Sequence, residues 1–182
     1  FYNRNSGLQR QSVVFTRETL NGKETVAIDP NTLSPDGSIA LSGFVPAPDA
    51  QHFAYGQSEG GSDWATYYVR ELGTGRQLPD VIKWVKFSDI SWTEDGKGFF
   101  YGRYPEPREG KALEDAVRDK KIFYHRLGTQ QSADRLIYER PEEPMLFIDA
   151  DTDETGRYLF FFTNKGTSNK NELFVKDLGD PL

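Results

Sequence analysis

The sequence predicts an all-β chain forming part of a β-propeller: about three four-stranded blades plus part of another. Three observations carry this. A turn followed by an aromatic strand recurs along the 182 residues, a second strand ending in Leu-Gly follows each copy, and 17 Gly and 10 Pro punctuate the chain throughout. Such punctuation suits many short strands joined by turns better than helices. Only 36% of residues are hydrophobic, yet 14% are aromatic, whereas disordered chains are poor in aromatics.

The start reads as a hairpin. Val13-Val14-Phe15-Thr16 and Glu24-Thr25-Val26-Ala27-Ile28 flank Asn21-Gly22, a pair that favours the φ > 0 geometry of a tight turn. It is the outer half of a truncated first unit over residues 1–40. The second unit, 41–83, opens with Ser42-Gly43-Phe44-Val45. It turns at Pro48-Asp49-Ala50-Gln51, continues as His52-Phe53-Ala54-Tyr55-Gly56, and returns as Ala65-Thr66-Tyr67-Tyr68-Val69. The third, 84–140, repeats this with Asp89-Ile90-Ser91-Trp92, Phe99-Phe100-Tyr101-Gly102 and Ile122-Phe123-Tyr124-His125. The fourth, 141–182, uses Leu146-Phe147-Ile148-Asp149, Tyr158-Leu159-Phe160-Phe161-Phe162 and Leu173-Phe174-Val175. A closing strand is clearest at Arg135-Leu136-Ile137-Tyr138 and weak at Arg76-Gln77-Leu78.

The spacing fits blades. From Phe53 to Phe99 is 46 residues, from Phe99 to Leu159 is 60, and the Leu-Gly ends fall at 72, 127 and 178. Four short strands every ~40–50 residues is blade arithmetic. The longer step implies an insertion at Arg103–Lys120, with Pro105, Pro107 and Gly110. Leu113, Ala116 and Val117 sit at i, i+3, i+4, which allows a short surface helix in a mobile loop without chemistry. The competing architecture is a β-sandwich of similar hairpins. Three blades and a part cannot close a ring, so the chain is expected to belong to a larger protein or to assemble with other copies. A start at Phe1-Tyr2-Asn3 without Met agrees with a piece of something longer.

Several function classes are disfavoured. A net charge of -6 argues against nucleic-acid binding. No stretch approaches the roughly 18–20 consecutive apolar residues of a membrane span, and no basic start precedes an apolar run. The expected compartment is the cytoplasm, with the periplasm open because the true start is missing. With zero Cys, disulfides, Cys-ligated zinc and a thiol nucleophile are excluded.

Catalytic and metal chemistry find little support. The two histidines, His52 and His125, fall in strands of different units, and nothing in the spacing builds a Ser-His-Asp arrangement. Each is expected at the surface or in a hydrogen-bonded pair. No Gly-x-Ser-x-Gly nucleophile elbow is expected in the chain. Asp149-Ala150-Asp151-Thr152-Asp153 imitates the start of a calcium loop, but Glu154 stands where glycine is needed and Phe160 where the bidentate Glu belongs. These carboxylates are expected in a turn. Gly60-Gly61 lacks the rest of a phosphate loop and reads as a turn between strands. No metal or cofactor is expected. Two features remain as binding candidates: Asp63-Trp64 after that turn, and Lys86-Phe87-Ser88 before an inner strand. Loops at the mouth of a propeller lie near the central channel and often bind; local packing is the alternative.

These residues resemble one family. Phe1-Tyr2-Asn3 with Ser6-Gly7-Leu8-Gln9, Asp29-Pro30-Asn31, Phe53-Ala54-Tyr55-Gly56, Gly61-Ser62-Asp63-Trp64, Leu78-Pro79-Asp80-Val81, Val85-Lys86-Phe87-Ser88, Trp92-Thr93-Glu94-Asp95-Gly96 and Tyr124-His125-Arg126-Leu127-Gly128 occur in order. Together they resemble prolyl oligopeptidase, a serine peptidase with a seven-bladed propeller beside an α/β-hydrolase domain. The likeness is dense from 1 to about 129 and looser beyond.

The resemblance implies that a parent enzyme hydrolyses short peptides after proline, with its Ser, Asp and His in a hydrolase domain C-terminal to this segment. No catalytic residue then lies in this chain. The propeller would cover the active site and exclude large substrates. Phe87 would line the subsite beyond the proline pocket. Asp63 would sit near a hydrolase-domain arginine that holds substrate, with Lys86 beside it and Trp64 at the interdomain surface. The implied partners are short proline-containing peptides and the hydrolase domain. The alternative is a free-standing propeller that binds partners by its loops without enzyme activity.

Overall fold

Apolar side chains that alternate along strands build sheets, and strands with both faces covered lose that alternation. Both patterns occur in the computed structural model, which describes residues 1–111 and 117–179. The described residues hold fourteen strands in four antiparallel sheets, with two short 3-10 turns.

The first sheet joins β1 (Tyr2–Arg4), β2 (Val13–Thr16) and β3 (Thr25–Ile28). The expected hairpin is there, with an additional strand. Asn21-Gly22 makes no tight turn, however. Neither residue has positive φ, and the Gly22 amide donates to the Thr19 carbonyl at 3.0 Å within a longer loop. The extra loop length removes the need for left-handed residues. Glu24 instead organises this edge, accepting from Arg4, Arg17 and Tyr2.

The second sheet runs β4 (Ile39–Pro46), β5 (His52–Glu59), β6 (Ala65–Glu71) and β7 (Gln77–Val85) in that order. The strand that looked weakest in sequence, β7, is the longest at nine residues. It pairs only with β6, so Pro79 costs no second ladder. The third sheet runs β8 (Ile90–Trp92), β9 (Gly98–Arg103), β10 (Lys121–Arg126) and β11 (Arg135–Tyr138). The fourth holds β12 (Leu146–Thr152), β13 (Tyr158–Lys165) and β14 (Asn171–Asp177).

The sheets stack face to face in chain order. Phe53 and Tyr55 of β5 pack against Val14 and Ile28 of the first sheet. Ala54, between them, faces the third sheet with Trp92 and Phe99. In β9 the pattern repeats: Phe99 and Tyr101 face the second sheet, and Phe100 faces Leu146, Ile148 and Phe161 of the fourth. Each fully buried aromatic of this kind stabilises the stack by roughly 1.5–3 kcal/mol. Hydrogen bonds cross the same interfaces. Trp92 Nε1 donates to the Val45 carbonyl at 3.1 Å, and Ser91 Oγ donates to Asp151 at 2.8 Å.

The inner strands decide between fan and sandwich. Residues of β4, the start of β8 and β12 line one cavity of about 680 Å³, including Ser42, Asp89, Ser91, Asp149 and Asp151. Three consecutive sheets thus turn their first strands toward a common axis, as in a propeller and not a sandwich. Asp149 and Asp151 lie in the strand β12 and not in a turn as expected. The register that places Ile148 in the core turns its neighbours Asp149 and Asp151 the other way. Only Asp153 serves the turn, accepting from the amide of Tyr158 at 2.7 Å. No cluster able to hold a metal ion occurs among the described residues.

The ends of the 103–120 insertion also depart from expectation. Tyr104 and Lys120 are buried against the second and fourth sheets instead of lying in a loop without chemistry. The helix suggested by Leu113, Ala116 and Val117 rests mainly on residues outside the described ones.

Candidate functional site

Two connections build the site. Between β5 and β6, Gly60 and Gly61 take φ of 59° and 75°, a left-handed pair that glycine adopts without penalty. This turn, expected from the sequence, delivers Asp63 and Trp64. Between β7 and β8, the chain delivers Lys86, Phe87 and Ser88. The structure brings all four sequence-predicted residues together. Lys86 Nζ lies 3.4 Å from Asp63 Oδ2, 5.2 Å from the Trp64 ring centre and 5.1 Å from that of Phe87.

Asp63, Lys86, Phe87, Ser88, Asp89 and Asp149 line a cavity of about 390 Å³ that adjoins the central channel. Phe87 leaves 51% of its surface exposed at the cleft. Trp64 is half-buried and packs edge-on against Trp84 and Tyr104, at ring separations of 6.0 and 5.9 Å. Trp84 and Phe87 both carry left-handed backbones, with φ of 64° and 49°. For non-glycine residues that conformation costs about 1–3 kcal/mol each and persists only where surroundings impose it.

Sequence reasoning missed the floor of the site. Lys120, 2% exposed, donates from Nζ to the Phe87 carbonyl at 2.6 Å. Ser88 Oγ donates to Asp149 at 3.0 Å and accepts from the Gly102 amide at 3.0 Å. Burial pulls the Lys120 ammonium down to about 8, against the holding effect of Asp149 and Asp89. Burial also pushes the Asp149 carboxyl up, against Lys120 and Ser88. Lys120 stood in a charged run, Arg118-Asp119-Lys120-Lys121, which gave no sign of burial.

The arrangement offers an apolar wall, a cation and carboxylates, which suits holding a peptide more than cleaving one. Contrary to the expectation that no such string occurs, Gly56-Gln57-Ser58-Glu59-Gly60 spells Gly-x-Ser-x-Gly. Ser58 lies within β5, paired with Ala40 and Ala65 on either side, and a strand follows the turn where an elbow needs a helix. The histidines are occupied elsewhere. His52 Nδ1 lies 2.7 Å from Asp49. His125 is fully buried, with Nδ1 2.6 Å from Asp134 and Nε2 2.9 Å from Asp80, so neither nitrogen faces a serine.

Comparisons with known proteins agree with this architecture. The family model described as prolyl oligopeptidase, N-terminal beta-propeller domain, matches residues 1–182. The chain is 40% identical to prolyl oligopeptidase A of Amanita bisporigera, over 98% of this chain and 26% of that protein. It is 39% identical to a prolyl endopeptidase of Elizabethkingia meningoseptica, over 98% of this chain and 25% of that protein. Among solved structures it resembles prolyl oligopeptidase B from Galerina marginata bound to a 35mer hydrolysis and macrocyclization substrate. There the TM-score is 0.88 and the identity 35%, covering 98% of this chain and 27% of that one. The chain spans about a quarter of the length of the curated relatives it matches. With a matching family model along its whole length and sheets fanned about one channel, the chain belongs to the prolyl oligopeptidase N-terminal β-propeller domain family.

Proposed function

We propose that this chain is the non-catalytic propeller portion of a serine peptidase that hydrolyses short peptides after proline. It covers the active site of an α/β-hydrolase domain in the same protein, keeps folded proteins out, and lends side chains to substrate binding. The observation that carries this reading is the convergence of Asp63, Lys86 and Phe87 on one cleft beside the propeller axis, with the Trp64 ring 5.2 Å from Lys86 Nζ, in a chain of this family.

Phe87 is the wall for an apolar residue of the peptide upstream of proline. Asp63, more than half exposed, is free to share its charge with a cation of the hydrolase domain as well as with Lys86. Lys86 is mostly covered and holds Asp63 and Phe87 in place. Trp64 supports them from behind and meets the hydrolase domain at its exposed edge. The apolar far face of the last sheet, where Phe162, Leu173 and Val175 are exposed, is covered by the next blade of the longer protein.

The test is an assay of the full-length protein on short peptides with and without proline before the scissile bond. Cleavage after proline, abolished by a serine-directed acylating reagent, supports the reading. Full-length protein that cuts without regard to proline, or not at all, rejects it.

A further inference from the structure

We propose that Lys120 is a positioning residue for the peptide cleft, fixing Phe87 as the wall against which an apolar substrate side chain packs. This rests on the role proposed for Phe87 above.

The geometry is built around one contact. Phe87 lies in a connection, half-exposed, with a left-handed backbone. Its carbonyl accepts the Lys120 Nζ at 2.6 Å. Lys120 itself is almost wholly enclosed. Its ammonium lies 4.6 Å from the Phe147 ring centre, and the Phe147 ring sits 5.9 Å from that of Phe87. The lysine therefore supports Phe87 through both its backbone and the ring beneath it.

Room for Lys120 comes from a glycine. A Cβ on Gly102 would stand 2.6 Å from Lys120 Cε and 2.9 Å from Ser88 Oγ. The missing side chain lets both groups approach β9. Ser88, next to Phe87, is then held on two sides by Asp149 and the Gly102 amide. Asp119, just before Lys120, also has positive φ at 62° and donates its amide to the Pro144 carbonyl at 2.7 Å. That anchor turns the chain so that Lys120 points inward.

A buried ammonium is costly, and the nearby Asp149 and Asp89 carboxylates offset only part of that cost. The carbonyl of an exposed loop residue needs no buried cation, since water can satisfy it. The lysine makes sense where the loop must hold one unfavourable backbone conformation, as a specificity wall must.

The test uses the full-length enzyme and one proline peptide, prepared with phenylalanine or alanine at each position upstream of the proline. The readouts are KM and kcat for wild type, Lys120→Met, Lys120→Gln and Phe87→Ala, with a melting temperature for each. Lys120→Met is expected to raise KM for the preferred phenylalanine peptide about 3–10-fold, as loss of one positioning hydrogen bond suggests. KM for its alanine counterpart should rise much less, and kcat should fall less than KM rises. The phenylalanine preference then shrinks toward that of Phe87→Ala. Lys120→Gln, which keeps a donor, should retain part of the preference, and it decides by the same ratio if Lys120→Met does not fold. An unchanged preference in the lysine variants, alongside its loss in Phe87→Ala, overturns the assignment of Lys120 alone. Equal KM shifts for both peptides do the same. An unchanged preference in Phe87→Ala removes the wall itself, and the role of Lys120 with it.

Discussion

Nε2 of His125 lies 2.9 Å from Oδ1 of Asp80, and this contact joins β10 of the third sheet to β7 of the second with both side chains fully buried. Asp134 takes the other ring nitrogen at 2.6 Å, and the Gly128 amide also donates to Asp80 at 2.6 Å. Burial alone would lower the His125 pKa, but hydrogen bonds to Asp134 and Asp80 outweigh it and push it up to about 9. Burial would raise Asp80, yet His125 and Gly128 hold it below the usual carboxylate range.

The pH dependence follows from these directions. His125 holds its proton more tightly folded than unfolded. Its stabilisation is complete below the unfolded value of about 6.5 and is lost as pH rises through about 9. The contribution of Asp80 is present at neutral pH and is lost as pH falls through its lowered folded value. Thermal melts of the full-length protein should therefore show stability falling between pH 7 and 9.5, and His125→Gln should flatten that segment. At pH 7 the variant should lose about 2–4 kcal/mol, because two carboxylates remain buried without their cation. Parallel wild-type and variant profiles would exclude this account.

Gly102→Ala probes the space that admits Lys120. A methyl group there collides with Lys120 and Ser88, so something in the site must move. The expected cost is about 1–3 kcal/mol by denaturant unfolding, with a raised KM for proline peptides. A variant with wild-type stability and kinetics would show that the close packing is not required.

Phe87→Ala should leave the fold intact, since half of the ring already faces solvent. KM for proline peptides with an apolar upstream residue should rise about 3–10-fold, the scale of one lost aromatic contact. Unchanged KM on such peptides counts against the wall.

Asp63→Asn separates function from stability. The Lys86–Asp63 pair is 3.4 Å long with the Asp63 side chain 58% exposed, so it contributes about 0–1 kcal/mol to the fold. Stability should stay within about 0.5 kcal/mol. kcat/KM should drop several-fold at low salt, and the deficit should narrow as salt screens the charge. Lost stability with unaltered kcat/KM would contradict the proposed role.

Much of the architecture was legible because turns and aromatic strands repeat in register. Phe53-Ala54-Tyr55 and Phe99-Phe100-Tyr101 are buried on both faces, so they stand out as apolar runs. Edge elements were harder. Tyr2-Asn3-Arg4 is too short and polar to read as a strand, and β7 contains Pro79 and charges that only an outer strand tolerates. Asn21-Gly22 misled because local turn preference yields when the loop is long. Asp63, Trp64, Lys86 and Phe87, which the structure brings together, could be singled out in sequence through family resemblance and adjacency. Lys120, Asp149 and the setting of His125 were not, because each depends on partners 33 to 61 residues away, or across a sheet interface, that one sequence does not pair.

The propeller's role as a lid is tested most directly by substrate size. One proline-containing sequence is offered to the full-length enzyme as a free short peptide, and again grafted into an exposed loop of a stably folded protein. The account predicts rapid cleavage of the peptide after proline and an intact graft. Cleavage of both at comparable kcat/KM would contradict it.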